Sequence, residues 1–166
     1  MQYKAGDSIV HPVYGVGNIL RLEEKRLAED QLRWYYVVTA DKSTIWVPVD
    51  EAGAAGLREV TRKRDLEQYR RVLQSRPTVL DRDHHKRRLE ITERLKQGSF
   101  QNLCEVVRDL AGLGWQKPLS EVDATSFHRF RDSLCREWAV AAGTTIPGAA
   151  AEVESLLAAA RQTYKS

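Results

Sequence analysis

The sequence is poor in cysteine, methionine and proline, and it has no long apolar run. Its two cysteines, Cys104 and Cys135, both lie in helical apolar patterns, so we predict reduced core thiols rather than the disulfide framework of a secreted domain. The amino-terminal segment MQYKAGDS lacks the apolar stretch of a secretory signal. The apolar runs are also far too short to cross a bilayer. These absences predict a cytoplasmic protein with no membrane segment.

Motifs of catalysis and metal binding are missing as well. No CxxC occurs, and adjacent His84 and His85 on a helix would point about 100° apart, which is a poor arrangement for chelation. Gly15 and Gly17 are followed neither by the third glycine of a dinucleotide motif nor by a helix. We therefore predict a protein that is not an enzyme and needs no metal or cofactor. The opposing interpretation is a small enzyme or metal protein, and stoichiometric zinc in the purified chain would support it.

Positive charge is concentrated in the middle of the chain. The net charge is +3, yet residues 1–60 hold 7 basic and 9 acidic side chains, whereas residues 61–98 hold 12 basic and 6 acidic ones. Within seven residues lie Arg82, His84, His85, Lys86, Arg87 and Arg88. Local charge governs attraction to a polyanion, because screening limits its reach to about 8–10 Å at physiological salt. The cluster indicates either a solvated helix face or a site for a polyanion such as DNA.

Alternation of apolar and polar residues predicts a small β domain in residues 3–60. The expected strands are Ser8–His11, Gly17–Arg26, Trp34–Thr39, Thr44–Val47 and Leu57–Val60. Five short strands with tight turns are typical of a Tudor- or SH3-like barrel. Trp34 and Tyr36 share one face of a strand, and if that face is exposed it is a candidate binding surface. Alternatively, Trp34, Trp46 and Tyr14 belong to the barrel core.

From Thr61 onward the apolar period changes to that of helices. The expected helices run from Thr61 to Gln74, from a cap at Asp81 or Asp83 to Gly98, from Ser99 to Gly112 or Gly114, from Ser120 to Ala142, and from Ala149 to Thr163. Trp115 is expected in a loop, as a lid on the helical core or as an exposed residue near DNA. The predicted fold class is α+β, with a small β-barrel in residues 1–61 followed by an all-helical domain of about five helices in residues 62–166.

Six short runs follow one another along the chain: KAGDSIVHP at 4–12, GVG at 15–17, VPV at 47–49, GLR at 56–58, LKQG at 95–98 and EVVRDL at 105–110. Together they resemble the CarD/CdnL family of bacterial RNA-polymerase-binding transcription regulators. The resemblance extends over roughly residues 3–142. The first two runs alone would suit any small barrel, but the later runs follow at the spacing of the family.

The resemblance implies a transcription regulator that modulates the stability of the open promoter complex. Its amino-terminal domain would bind the β subunit of RNA polymerase through Lys25, Leu27 and Trp46. Its helical domain would contact promoter DNA, largely through the DNA backbone, by the side chains of Arg82, His84, His85, Lys86, Arg87 and Arg88. The interpretation is a monomer in the cytoplasm, associated with the nucleoid.

Two positions depart from the family pattern. An exposed Trp wedges into the minor groove in proteins of the family, and the matching position here is His84, whose ring has much less apolar area. The polymerase-facing strands usually carry arginines, where this chain has Lys25 and Trp46. An alternative interpretation is therefore a polymerase-binding adaptor or competitor with little DNA activity.

Overall fold

The computed structural model describes residues 2–29 and 31–165. The chain divides into two units, residues 1–60 and residues 61–166. The first unit is an antiparallel sheet, and the second is helical. The predicted α+β class is confirmed.

The sheet of the first unit has five strands in the order β4-β3-β2-β1-β5. The strands are β1 (Ser8–His11), β2 (Gly15–Ala28), β3 (Gln31–Ala40), β4 (Ser43–Pro48) and β5 (Arg58–Glu59). Every predicted strand is present, and β2 and β3 are longer than predicted. Asp41 and Lys42 both have positive φ, which is the geometry of the tightest hairpin turns and joins β3 to β4 directly.

The register of β3 and β4 separates two faces of the sheet. Tyr36 pairs with Val47 and both are buried in the core of this unit, together with Tyr3 and Ile9. Tyr36 is 0% exposed and its hydroxyl accepts a hydrogen bond from the Tyr3 amide, so the expectation of an exposed face that includes Tyr36 is wrong. Since residues alternate between the faces, Trp46 lies on the opposite face from this core.

Three aromatic side chains of the first unit lie outside its core and are exposed. The exposed fractions are 41% for Trp34, 40% for Trp46 and 42% for Tyr14. The alternative that these residues are barrel core is therefore wrong. The core of the first unit is formed by other residues, so these three aromatic side chains belong to its surface.

The second unit contains five α-helices within the described residues. They are α1 (Leu66–Gln74), α2 (His84–Lys96), α3 (Phe100–Gln116), α4 (Glu121–Ala142) and α5 (Ile146–Tyr164). Short 3₁₀ turns at Val49–Glu51 and Lys63–Asp65 precede β5 and α1, respectively. The caps at Ser99 and Ser120 form as predicted, each accepting a hydrogen bond from the amide three residues later.

Three helix boundaries differ from the prediction. Thr61 caps no helix, because its amide and hydroxyl both donate to the buried carboxylate of Glu137. Helix α3 continues through Gly112 and Gly114, and these glycines serve packing instead: a Cβ on Gly112 would lie 2.5 Å from Pro77. Helix α5 begins early, at Ile146, because Thr145 caps it and the proline that follows suits a first turn.

The core of the helical unit joins α1, α3, α4 and α5. Trp138 is fully buried at its centre, and both cysteines are buried, as predicted. Burial raises the pKa of the Cys135 thiol to about 11, so this sulfur is a packing group rather than a nucleophile. Trp115 lies within α3, half-buried against this core, and not in a loop. None of the described helices is long and apolar enough to cross a membrane.

Candidate nucleic-acid and protein interfaces

Helix α2 begins at a side-chain cap. The Asp83 carboxylate accepts a hydrogen bond of 2.9 Å from the Lys86 amide, and this bond lowers the pKa of Asp83. No acidic residue follows in the first turn, so the partial positive charge of the helix N-terminus adds to the cationic side chains there. The predicted start of this helix is confirmed, and Gly98 follows its end with a φ of +71°.

The outward face of α2 carries cations that have no acidic partner. The side chains of Arg82, Lys86 and Arg88 are exposed and form no ion pair with any residue that the structure describes. His84 and His85 are also exposed on this first turn. We call Arg82, His84, His85, Lys86 and Arg88 the α2 cationic face.

Arg87 differs from its neighbours because its side chain points into the protein. It is 4% exposed, and one nitrogen lies 2.7 Å from the carboxylate of Asp123 on α4. The other terminal nitrogen donates to the carbonyl oxygen atoms of Asp81 and Arg82. The Arg87 guanidinium is thus bound within the fold, unlike the other members of the predicted DNA-contacting set, and we leave it out of the surface considered below.

A buried carboxylate anchors α2 and the segment before it. Asp109 on α3 is 1% exposed and accepts hydrogen bonds from Arg94 of α2, from Arg108 and from the Thr78 amide, at distances of 2.8, 2.9 and 2.8 Å. Arg108 also donates to the hydroxyl of Ser75. A buried charge is tolerated when it is surrounded by such donors. This network holds residues 75–80 and α2 against α3, and so determines which side of α2 faces outward.

The outer face of the sheet gathers charged and aromatic side chains around Trp46. The Trp46 indole N–H donates to Glu23 at 3.4 Å, and the Lys25 ammonium lies 4.5 Å from the centre of the indole ring. Arg21 forms an ion pair of 3.0 Å with Glu23. The bond from Trp46, together with that from Arg21, lowers the pKa of the Glu23 carboxyl. We call Arg21, Glu23, Lys25, Tyr35 and Trp46 the Trp46 surface.

Two of the predicted polymerase-contacting residues therefore meet on the sheet, whereas the third lies farther along the hairpin. Lys25 and Trp46 are in contact, while Leu27 is near the end of β2 and 58% exposed. Leu32 on β3 is exposed to a similar extent, at 57%. The hairpin end thus carries uncovered apolar side chains.

Sequence reasoning missed the acidic partners of these surfaces. Glu23, Asp109 and Asp123 each determine how a cation or an indole is held, but none of them was assigned this role from the sequence. The alternation of β2 could have placed Glu23 beside Lys25 on one face. No local signal pairs Arg87 with a residue on α4. Among the described residues, no group of three His, Cys, Asp or Glu side chains could hold a metal ion.

The sheet unit and the helical unit each match the model of a known family of transcription regulators. Residues 3–61 match the CarD-like/TRCF RID domain, and residues 68–154 match the CarD C-terminal domain. The chain is also 29% identical over 144 residues to "Putative transcription factor YdeB" of Bacillus subtilis (strain 168), across 86% of this chain and 94% of the relative. The chain belongs to the CarD/CdnL family of bacterial transcription regulators.

Proposed function

We propose that this regulator binds the β subunit of RNA polymerase through the Trp46 surface and contacts promoter DNA through the α2 cationic face, so that it modulates the stability of the open complex. Membership of the CarD family supports both halves of the proposal. The similarity to a protein described as a transcription factor supports the first step, a role in transcription.

The single observation that carries the DNA contact is that Arg82, Lys86 and Arg88 of the α2 cationic face form no ion pair within the described part of the chain. Arg82, Lys86 and Arg88 keep their charge toward solvent, because Asp109 and Asp123 bind the other arginines of the helix. Each cation that neutralises a phosphate releases counterions, which makes the fall of log affinity with log salt steeper by about 0.9 on duplex DNA. Contacts of this kind hold the backbone and carry no base specificity.

The polymerase contact rests on the exposed indole of Trp46. An aromatic side chain flanked by charged groups is the residue type that most often dominates a protein interface. Trp46 is 40% exposed although it belongs to a well-packed sheet, and Lys25 lies over its ring. A partner surface that covers the indole would bury apolar area and meet the Lys25 ammonium at the same time.

The DNA contact is tested by the salt dependence of duplex binding. We expect the triple variant Arg82→Ala, Lys86→Ala, Arg88→Ala to bind at least about tenfold more weakly at low salt, with a slope reduced by about 2–3. A matched control removes three exposed cations elsewhere in the helical unit, Arg71, Lys117 and Arg161. Equal slopes for wild type and the triple variant would mean that α2 does not face DNA.

The polymerase contact is tested by retention of the full chain on core RNA polymerase. We expect Trp46→Ala to weaken retention about tenfold or more, as for a central aromatic anchor. Lys25→Ala should have a smaller effect, and Lys4→Ala, which removes an exposed cation outside the surface, should have none. If wild type is not retained by core polymerase, the proposed function is wrong.

His84 decides the open-complex part of the proposal. Its ring is exposed at the start of α2, where the family places its wedge, and its Nδ1 lies 2.7 Å from Arg87. His84→Trp should lengthen the lifetime of open complexes, because an inserted indole stabilises distorted DNA. An unchanged lifetime would place α2 away from the edge of the bubble. The alternative of an adaptor without DNA activity is not favoured by the comparisons, and we do not adopt it.

A further inference from the structure

The side chain of Trp46 lies across the sheet. Trp46 on β4 pairs with Val37 on β3, and Val37 pairs in turn with Arg21 on β2. The indole N–H nevertheless reaches Glu23, which is on β2, two strands away. Neighbouring strands are about 4.8 Å apart, so the indole must pass over β3 to make this bond. Val37 is 0% exposed although it belongs to the outer face, as expected beneath such a ring.

Two groups hold the indole in this orientation. Glu23 accepts from the ring N–H at 3.4 Å, and Lys25 lies 4.5 Å from the ring centre. At 3.4 Å the hydrogen bond is long and therefore weak, so its contribution to folding is small. Its consequence is directional, because it selects one of the orientations that an exposed indole could otherwise adopt. Arg21, bound to the same carboxylate oxygen at 3.0 Å, orients Glu23 in turn.

We infer that Glu23 is a positioning residue for polymerase binding, which presents the Trp46 indole flat across β3 so that the partner meets an ordered ring. This inference rests on the proposed polymerase contact. A side chain that is ordered before association loses less conformational freedom on binding. Glu23 acts through Trp46 and needs no contact with the polymerase itself.

A double-mutant cycle tests the inference. The four full-length proteins are wild type, Glu23→Ala, Trp46→Phe and the double variant, and the measured quantity is affinity for core RNA polymerase. Phenylalanine keeps an aromatic ring but has no N–H to donate. We expect Glu23→Ala to weaken binding by about three- to tenfold in the wild-type background, a range set by the ordering of one side chain. In the Trp46→Phe background the same change should have no effect.

Two further variants separate positioning from charge and from folding. Glu23→Gln keeps an oxygen acceptor for the indole N–H but loses the charge, so it should retain most of the affinity. Glu24→Ala is the matched control, since Glu24 is the adjacent exposed carboxylate on the opposite face of β2. The unfolding midpoints of all variants should agree, because the bond to Glu23 is weak.

The possible failures are distinguishable. If wild type binds polymerase and Glu23→Ala binds equally well, the positioning role is wrong and the proposed function stands. If Glu23→Ala weakens binding by the same factor in both backgrounds, Glu23 contacts the polymerase directly, which also overturns the inference. If wild type does not bind, the proposed function itself is wrong, and this inference is wrong with it.

Discussion

Two exposed surfaces of this protein carry cations, and they differ in whether those cations have a partner within the protein. On the Trp46 surface each cation has a partner: Arg21 binds Glu23, and Lys25 lies over an aromatic ring. On the α2 cationic face the exposed cations have no acidic partner among the described residues. The first arrangement holds side chains in place, whereas the second leaves charge available.

This difference indicates two kinds of partner. On the Trp46 surface Glu23 compensates the charge of Arg21, so long-range attraction is weaker there and binding depends more on shape and contact. A face of unpaired cations attracts any polyanion within the screening length and loses that attraction as salt increases. The α2 cationic face depends on the buried carboxylates Asp109 and Asp123, which bind the inward-facing arginines of the helix.

The largest effect is expected at the base of α2. Asp109→Ala removes the buried carboxylate that binds Arg94 and Arg108, which leaves two guanidinium groups without their partner. We expect the free energy of unfolding to fall by about 3–5 kcal/mol, measured by chemical denaturation. Asp132→Ala, which breaks an exposed pair with Arg136, should change it by about 0–1 kcal/mol. Equal effects would mean that the buried network does not hold α2.

Substitutions of two neighbouring residues on α2 should change different properties, stability in one case and DNA binding in the other. Arg87→Ala leaves Asp123 buried without its cation and should lower the free energy of unfolding by about 3 kcal/mol. Lys86→Ala should leave stability unchanged and lower the salt slope of duplex binding by about 0.9. The comparison between the two faces of the helix breaks down if Lys86→Ala destabilises the protein as much as Arg87→Ala.

A smaller effect is expected where the segment before α2 packs on α3. The Cβ of Gly112→Ala would lie 2.5 Å from Cβ of Pro77, and a proline ring cannot rotate away. We expect a loss of about 1–3 kcal/mol in the free energy of unfolding, as for other overpacked sites. Gly114→Ala is the control on the same helix, since its nearest neighbour is the flexible Leu119 at 3.3 Å. A larger loss for Gly114→Ala would contradict this account of the packing.

The smallest effect concerns the sheet. Burial lowers the pKa of His11, whose Nδ1 accepts hydrogen bonds from the amides of Val13 and Tyr14. Since the folded state favours neutral His11, this contribution to stability is fully present above about pH 6.5 and is lost as pH falls through the lower folded pKa. Unfolding measured from about pH 8 to about pH 5 should show the loss in wild type and not in His11→Gln. The same pH dependence in His11→Gln would assign it to another group.

Local patterns were sufficient for most of the elements. The caps at Asp83, Ser99 and Ser120 and the stop at Gly98 form as predicted, because each depends on atoms a few residues apart. The predicted helix end at Gly112 was wrong because it, too, was judged from local sequence alone. A glycine there suggests a helix end, but its role is contact with Pro77, 35 positions earlier. Such a contact leaves no periodic signal.

By itself the sequence determined the two-part architecture, the basic segment and its helical form, because periodicity, capping and charge are local properties. Only the tertiary structure decided which cations of that segment are available. Arg87 and Arg88 are adjacent and identical in type, yet one is buried against Asp123 and the other is exposed. Which arginines of α2 are bound within the protein depends on where α3 and α4 place Asp109 and Asp123. A buried carboxylate is tolerated when it is paired, and each of these two pairs with an arginine that the fold brings close to it.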